Sequence, residues 1–224
     1  MTKPTWREIL LHGARTFPVV PWRAQHRWRT QPITLLVLLL GLVAFGIGEA
    51  LIVDASVGNS PWTVLAQGLS MHIGRGIGTA SLIVSALVLL LWIPLRERPG
   101  LGTILNAIII GYALQFALPF LPHPTMWEAA VPQALLGILV VGFGSAGYIT
   151  TNLGPGPRDG LMTALHDRTG VRVARVRTSI EIVALGIGWL LGGTIGLATL
   201  LFALLIGRSI ALWLGLLARA THTA

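Results

Sequence analysis

The chain reads as a polar, basic start followed by six apolar runs with short polar stretches between them. The runs cover about 33–53, 77–95, 103–121, 129–150, 178–193 and 197–217. Most approach the roughly 20 apolar residues that a membrane-crossing helix requires. The fifth is the shortest and depends most on its neighbours. Pro94 and Pro99 help to end the second run, and Pro119 and Pro122 the third. The pattern predicts an all-α polytopic membrane protein with about six transmembrane helices, and four segments along the chain: 1–31, 32–122, 123–218 and a tail, 219–224.

Composition agrees with that pattern. Of 224 residues, 54% are hydrophobic and 11% charged, against about 25% charged in an ordinary soluble domain. A disordered chain, a secreted disulfide scaffold and a typical soluble enzyme are thereby excluded. Without cysteine, thiolate catalysis and Cys-based zinc sites are excluded too. The net charge is +8, and its placement gives it meaning. With the N-terminus inside, fourteen of the sixteen Lys and Arg fall in cytoplasmic segments, leaving Arg75 outside and Arg208 within the sixth run. This is the positive-inside bias of a cytoplasmic-membrane protein with both termini cytoplasmic, not the signature of a nucleic-acid binder. In residues 1–31, Trp6, Leu10 and Phe17 fall on one helical face among basic residues. That predicts an interfacial helix on the membrane surface. A cleaved signal peptide is not expected, because the first apolar run begins late and is too long.

The chain also repeats itself at an offset of 96. Gly46, Gly48 and Ala50 match Gly142, Gly144 and Ala146. Gly58 and Pro61 match Gly154 and Pro157, and Gly100, Leu101 and Thr103 match Gly196, Leu197 and Thr199. Between 39 and 111, 20 of 73 pairs are identical, where so biased a composition would give roughly one in ten. Many matches are Gly or Pro, which fix backbone geometry. Three spans per repeat is an odd number, so the two units are expected to be inserted with opposite topology, as in many secondary transporters.

After its first span each repeat has a Gly-rich turn and a short helical pattern headed by proline. The first runs from Ser60-Pro61-Trp62 into Val64–His72, the second from Gly156-Pro157-Arg158-Asp159-Gly160 into Leu161–Arg168. Ser60 can cap, with Pro61 at the first helical position. Gly74 and Gly170 suit the C-terminal stops. Each helix is too short to span. Either it lies on the surface as an amphipathic helix, or it is a re-entrant half-helix whose N-terminus offers an anion site, with Arg158 adding a cationic fork. Asp159 could satisfy the helix start or pair with Arg158.

Charged groups inside apolar runs are costly and usually face a partner or a wet cavity. Glu49 is a candidate proton-linked carboxylate, or it sits near the outer headgroups with Asp54 a turn further on. Arg177 and Glu181 form an i,i+4 pair that reads as a salt bridge and as a second ion-coupling candidate. Arg208 has Glu49 or Glu181 as possible partners. Asn106 lies near the start of the third run. The six histidines show no metal-ligand spacing. Neither a P-loop, a dinucleotide fingerprint nor a nucleophile elbow is present, and Asp159 with His166 is the one faint acid–base pair.

These motifs resemble a known family. Pro61-Trp62 with Gln67-Gly68-Leu69-Ser70, Arg98-Pro99-Gly100-Leu101-Gly102-Thr103 with Asn106, and Gly154-Pro155-Gly156-Pro157-Arg158-Asp159-Gly160-Leu161-Met162 are similar to those of the YczE/YyaS-like bacterial membrane proteins, relatives of the YitT-like proteins. So are Arg177-Thr178 with Glu181, Gly192-Gly193 and the run Leu200–Gly207. The resemblance covers about 33–217. It implies a multi-span cytoplasmic-membrane protein and assigns no substrate. The family often has Gly-Pro-Trp-Asp where this chain has Ser60-Pro61-Trp62-Thr63, and usually proline where Arg208 stands. Arg158, Asp159 and Glu181 are accordingly favoured over Arg208.

The expectation is a small secondary transporter or flippase-like permease, not an enzyme, for an anionic or polar small molecule. Substrate contacts are assigned to Ser60, Pro61, Trp62, Asn106, Gly156, Pro157, Arg158, Asp159 and Gly160, and ion coupling to Glu49, Glu181 and Arg177. No cofactor, metal or nucleic acid is expected. The partners are the bilayer and possible further copies of the chain. The alternative is a non-transporting membrane protein that supports a biosynthetic or signalling complex through residues 1–31.

Overall fold

The computed structural model describes Pro18 and residues 20–221, all helix and loop apart from one isolated bridge between His26 and Arg29. The predicted interfacial helix over Trp6–Phe17 lies outside the described residues. Eight α-helices follow: α1 Pro32–Asp54, α2 Pro61–Ile73, α3 Ile77–Leu95, α4 Leu101–Ala117 with a short 3-10 turn Leu118–Phe120, α5 Trp127–Thr150, α6 Pro157–Thr169, α7 Val173–Leu190 and α8 Leu197–Thr221. Among the described residues, five stretches are long and apolar enough to cross a membrane: Pro32–Asp54, Ile77–Leu95, Leu101–Phe120, Trp127–Thr150 and Leu197–Thr221. The apolar run at 178–193 is not among them. Its helix, α7, begins five residues earlier than the run and takes Arg175, Arg177 and Glu181 into its first half. The last helix continues through Arg219 to Thr221.

The helices recur at the same offset as the sequence. Pro61 and Pro157 each open a 13-residue helix, and Ile77 and Val173, then Leu101 and Leu197, open the next two. Proline suits the first helical position because its missing N–H would have no helical partner. Both short helices stop at a glycine in the left-handed region, Gly74 (φ 61°) and Gly170 (φ 68°), whose N–H turns back to Ser70 and His166. That conformation is cheap only for glycine.

Contacts between the halves are reciprocal. The Gly102 N–H donates to the Leu153 carbonyl at 2.8 Å, and the Ala198 N–H donates to the Val57 carbonyl at 2.9 Å. Each bond maps onto the other when 96 is added to one partner and removed from the other. The central crossing of α1 and α5 behaves likewise. A Cβ on Gly41 would stand 3.0 Å from the Gly144 carbonyl oxygen, and one on Gly137 would stand 2.7 Å from that of Gly48. Only glycine lets two backbones approach so closely, the small-residue packing common between membrane helices. Around this crossing Leu38, Leu42, Ile52, Ile138 and Val141 form the core. Further packing joins α4 to α1 and α8 to α5, while α2 and α6 are wedged between α3 and α7.

Candidate functional site

The short helices bring the site together. Neither lies flat on the outside of the bundle: Pro61, Thr63, Val64, Ala66 and Gly68 of α2, and Pro157, Gly160, Leu161 and Ala164 of α6, are buried. On α6 this burial comes from one fit. Gly160 faces the ring of Trp92 on α3, whose Nε1 donates to the Pro157 carbonyl at 3.0 Å. Gly156, just ahead, faces the Asn106 side chain on α4. Thr103 Oγ1 donates to the Pro155 carbonyl at 2.7 Å and pins the turn.

Glu49, on α1, is 2% exposed. Its carboxylate accepts from Thr63 Oγ1 at 2.7 Å and from Ser60 Oγ, which lies 2.9 and 3.1 Å from its two oxygens. Ser60 occupies the N-cap position of α2, yet its hydroxyl does not cap the helix. It donates to the buried carboxyl group of Glu49 instead. Glu49 thus sits at the N-terminal end of α2, where the helix dipole favours negative charge. Arg158, from the first turn of α6, lines the same cavity as Glu49. The Arg158 guanidinium stands 5.6 Å from the ring centroids of both Phe45 and Trp62. Cation–π attraction to the two rings favours the cation there without neutralising it.

Glu49, Trp62, Thr63, Asn106 and Arg158 line one cavity, closed by Ser81, Val84, Ser85 and Val88 of α3 and by Ile110 and Leu114 of α4. It offers about 30 Å³ to a small occupant, enough for one or two waters. A larger solute needs the helices to part.

Not every sequence candidate reaches the cavity. Asp159 points to Tyr148, whose hydroxyl donates to Asp159 Oδ2. Pro61 and Gly160 are buried packing positions beside it. Arg177 and Glu181 pair with each other at 2.9 Å and are not among the lining residues. Arg208 is exposed on α8 and bonds neither Glu49 nor Glu181. Asp54 lies apart from Glu49. It accepts from Gln133 Nε2 at 2.7 Å and from the His123 N–H at 3.1 Å, and pairs with the His123 ring. His166 Nδ1 bonds the Val171 carbonyl rather than Asp159. Sequence reasoning missed Thr63, Ser81 and Ser85. The last two are hydroxyls one turn apart in a mostly apolar helix, a spacing that places them on one face.

Several apolar spans around a buried, charge-bearing cavity define a multi-pass integral membrane protein. The chain belongs to a family of unknown function, DUF6198, whose model matches residues 32–214. It is 42% identical over 208 residues to an uncharacterized protein of Haemophilus influenzae, covering 93% of this chain and 95% of the relative. It is 33% identical over 169 residues to the uncharacterized membrane protein YczE of Bacillus subtilis, covering 75% and 79%. With the uncharacterized protein YyaS of the same organism it shares 26% identity over 185 residues, covering 80% and 92%. The expected YczE/YyaS-like membership therefore holds. No solved structure matches the chain.

Proposed function

We propose that this protein is a small secondary transporter of the cytoplasmic membrane, moving an anionic or polar small molecule through a site between two oppositely inserted halves. The observation that carries the reading is the buried Glu49 carboxylate and the Arg158 guanidinium in one cavity, where the N-termini of α2 and α6 approach. Keeping charge there is costly unless it is used or fully paired. Arg158 and the helix N-termini would hold an anion. Glu49, cradled by two hydroxyls, would exchange a proton with the cavity, so that charge balance couples the two movements. Pro61, Pro157 and Gly160 position these groups. Asn106 offers an amide beside them.

Opposite insertion is supported by the reciprocal bonds Gly102–Leu153 and Ala198–Val57 and by the matching glycine contacts of α1 and α5. A two-fold axis in the membrane plane would generate both. It requires α7 to serve as a sixth span, its charged first half facing the headgroups or a wet vestibule. The excess of Lys and Arg in one set of loops supports a cytoplasmic position for both termini.

The test is proton movement in reconstituted vesicles that carry a pH-sensitive dye. Gradients of inorganic phosphate, acetate and succinate are imposed in turn. The wild-type protein is expected to move protons with at least one of these anions, and Glu49→Gln and Arg158→Ala each to abolish it. Unchanged movement in both variants would overturn the site.

A further inference from the structure

Helix pairs related by the offset of 96 are not all packed alike: α2 is held more tightly by its neighbours than α6, and the largest difference is between α3–α4 and α7–α8. In the first half α3 and α4 lie tightly together. A Cβ on Gly78 would run into the Gly111 carbonyl, and the Gly78 N–H donates to Gln115 Oε1 at 3.0 Å. In the second half no comparable packing joins α7 to α8. Gly207, the counterpart of Gly111, has nothing within 4 Å of where a Cβ would stand. Ala174, the counterpart of Gly78, is exposed. A glycine inside a helix costs about 0.5–1 kcal/mol relative to alanine. At position 111 a close approach explains it, while at 207 this structure shows none.

The open side also carries the charged pair of α7. Arg177 and Glu181 take the places, 96 residues on, of Ser81 and Ser85, the two α3 hydroxyls that line the Glu49–Arg158 cavity. Their side chains are 46% and 29% exposed.

We propose that the α3–α4 contact is a closed gate and the gap between α7 and α8 the matching gate held open, with Arg177 and Glu181 at its mouth. The two exchange states in turn: α7 closes on α8 through Ala174 and Gly207 as α3 parts from α4 at Gly78 and Gly111. This rests on the transporter reading and adds where the path opens. Two packings of one repeated backbone form the kind of bistable element that alternating access needs. In the closed arrangement Gly207 has the neighbour that its missing side chain implies. The exposed state of Arg177 and Glu181 makes the open vestibule polar, suited to a charged solute arriving from the basic side.

The chain has no cysteine, which makes the test direct. Full-length Ala174→Cys/Gly207→Cys protein in native membranes is oxidised with copper phenanthroline and then treated with a maleimide-linked polymer. The expected result is a chain of monomer mobility in which both thiols are protected. Two free thiols would overturn the gate, and so would a disulfide between two chains, which would make this face a dimer contact. Coupling is tested separately. Gly207→Leu adds a side chain into open space, so folding should be unaffected, but it props the α7–α8 gap. Labelling of a Ser81→Cys reporter by a thiol reagent added from the Arg75 side should then fall at least tenfold. Unchanged labelling overturns the exchange. Both readouts are geometric. A failure here leaves the proton assay standing, and a failure there leaves these standing.

Discussion

Gly160→Ala tests whether the Trp92 contact sets the position of α6. The added methyl would fall on Cζ2 and Cη2 of Trp92 and stand 2.9 Å from Cε2. Trp92 is 2% exposed, and its Nε1 is bound to the Pro157 carbonyl at 3.0 Å. The ring cannot withdraw without losing that bond, so α6 must shift. Overpacking of this kind costs about 1–3 kcal/mol, and a lost neutral hydrogen bond a further 0.5–1.5 kcal/mol or so. A total of about 2–4 kcal/mol corresponds to a fall in Tm of roughly 5–10 °C for a chain of this length. The assay is loss of the monodisperse size-exclusion peak on heating in detergent. Because Arg158 lies two residues before Gly160, the variant should also lose proton movement in vesicles. Combining it with Trp92→Phe, which removes the obstructing six-membered ring, should restore more than half of the lost Tm, the non-additivity expected of residues in contact. A Gly160→Ala protein within 1 °C of wild type would refute the reasoning.

Three further outcomes are expected. Arg158→Lys keeps the charge but loses the planar face between Phe45 and Trp62; a cation–π loss of about 1 kcal/mol or more should weaken anion-dependent proton movement by roughly fivefold to tenfold while Tm changes little. Gln67→Ala removes the oxygen that accepts from Asn59 Nδ2 at 2.8 Å and from the Thr194 N–H at 2.7 Å; hydrogen exchange over 192–196 should rise at least tenfold, in keeping with about 1–3 kcal/mol for a donor left unpaired. Removal of residues 1–17 should leave transport intact, because the segment that docks on the bundle, through the Trp22–Thr150, Ala24–Thr151 and Arg27–Arg98 bonds, is retained; loss of cellular function with transport preserved would favour a role in supporting a partner complex.

Much of the fold was legible because it is written in residues that dictate backbone. Pro61 and Pro157 open the short helices, Gly74 and Gly170 end them, and Gly41, Gly48, Gly137 and Gly144 mark the central crossing. Apolar runs gave the long helices to within a few residues. The site was legible only in part. Glu49, Trp62, Asn106 and Arg158 stand out as polar or cationic groups beside apolar runs, and they do share a cavity. Which hydroxyl serves Glu49 was not legible. Ser60 looks like a helix cap by position alone, and only the packing shows that its hydroxyl donates to Glu49 instead. Asp159 illustrates the same limit. Its position suggested a bond to Arg158 or to its own helix start, but Tyr148 comes from a different helix, and pairing across helices is set by tertiary packing. The difference between α3–α4 and α7–α8 was hidden for another reason: the repeat makes the halves look equivalent, and how closely each pair packs is set by tertiary contacts.

The central claim is that two oppositely inserted halves enclose the Glu49–Arg158 site, and one labelling experiment tests it most directly. Arg75 and Val171 are paired positions at the ends of the two short helices, both exposed. Each is replaced singly by cysteine in the cysteine-free chain, and intact cells are treated with a membrane-impermeant thiol reagent, before and after permeabilisation. The account predicts that position 75 labels in intact cells and position 171 only after permeabilisation. Labelling of both from the same side would contradict it, since the halves would then be parallel and no shared midplane site could form between them.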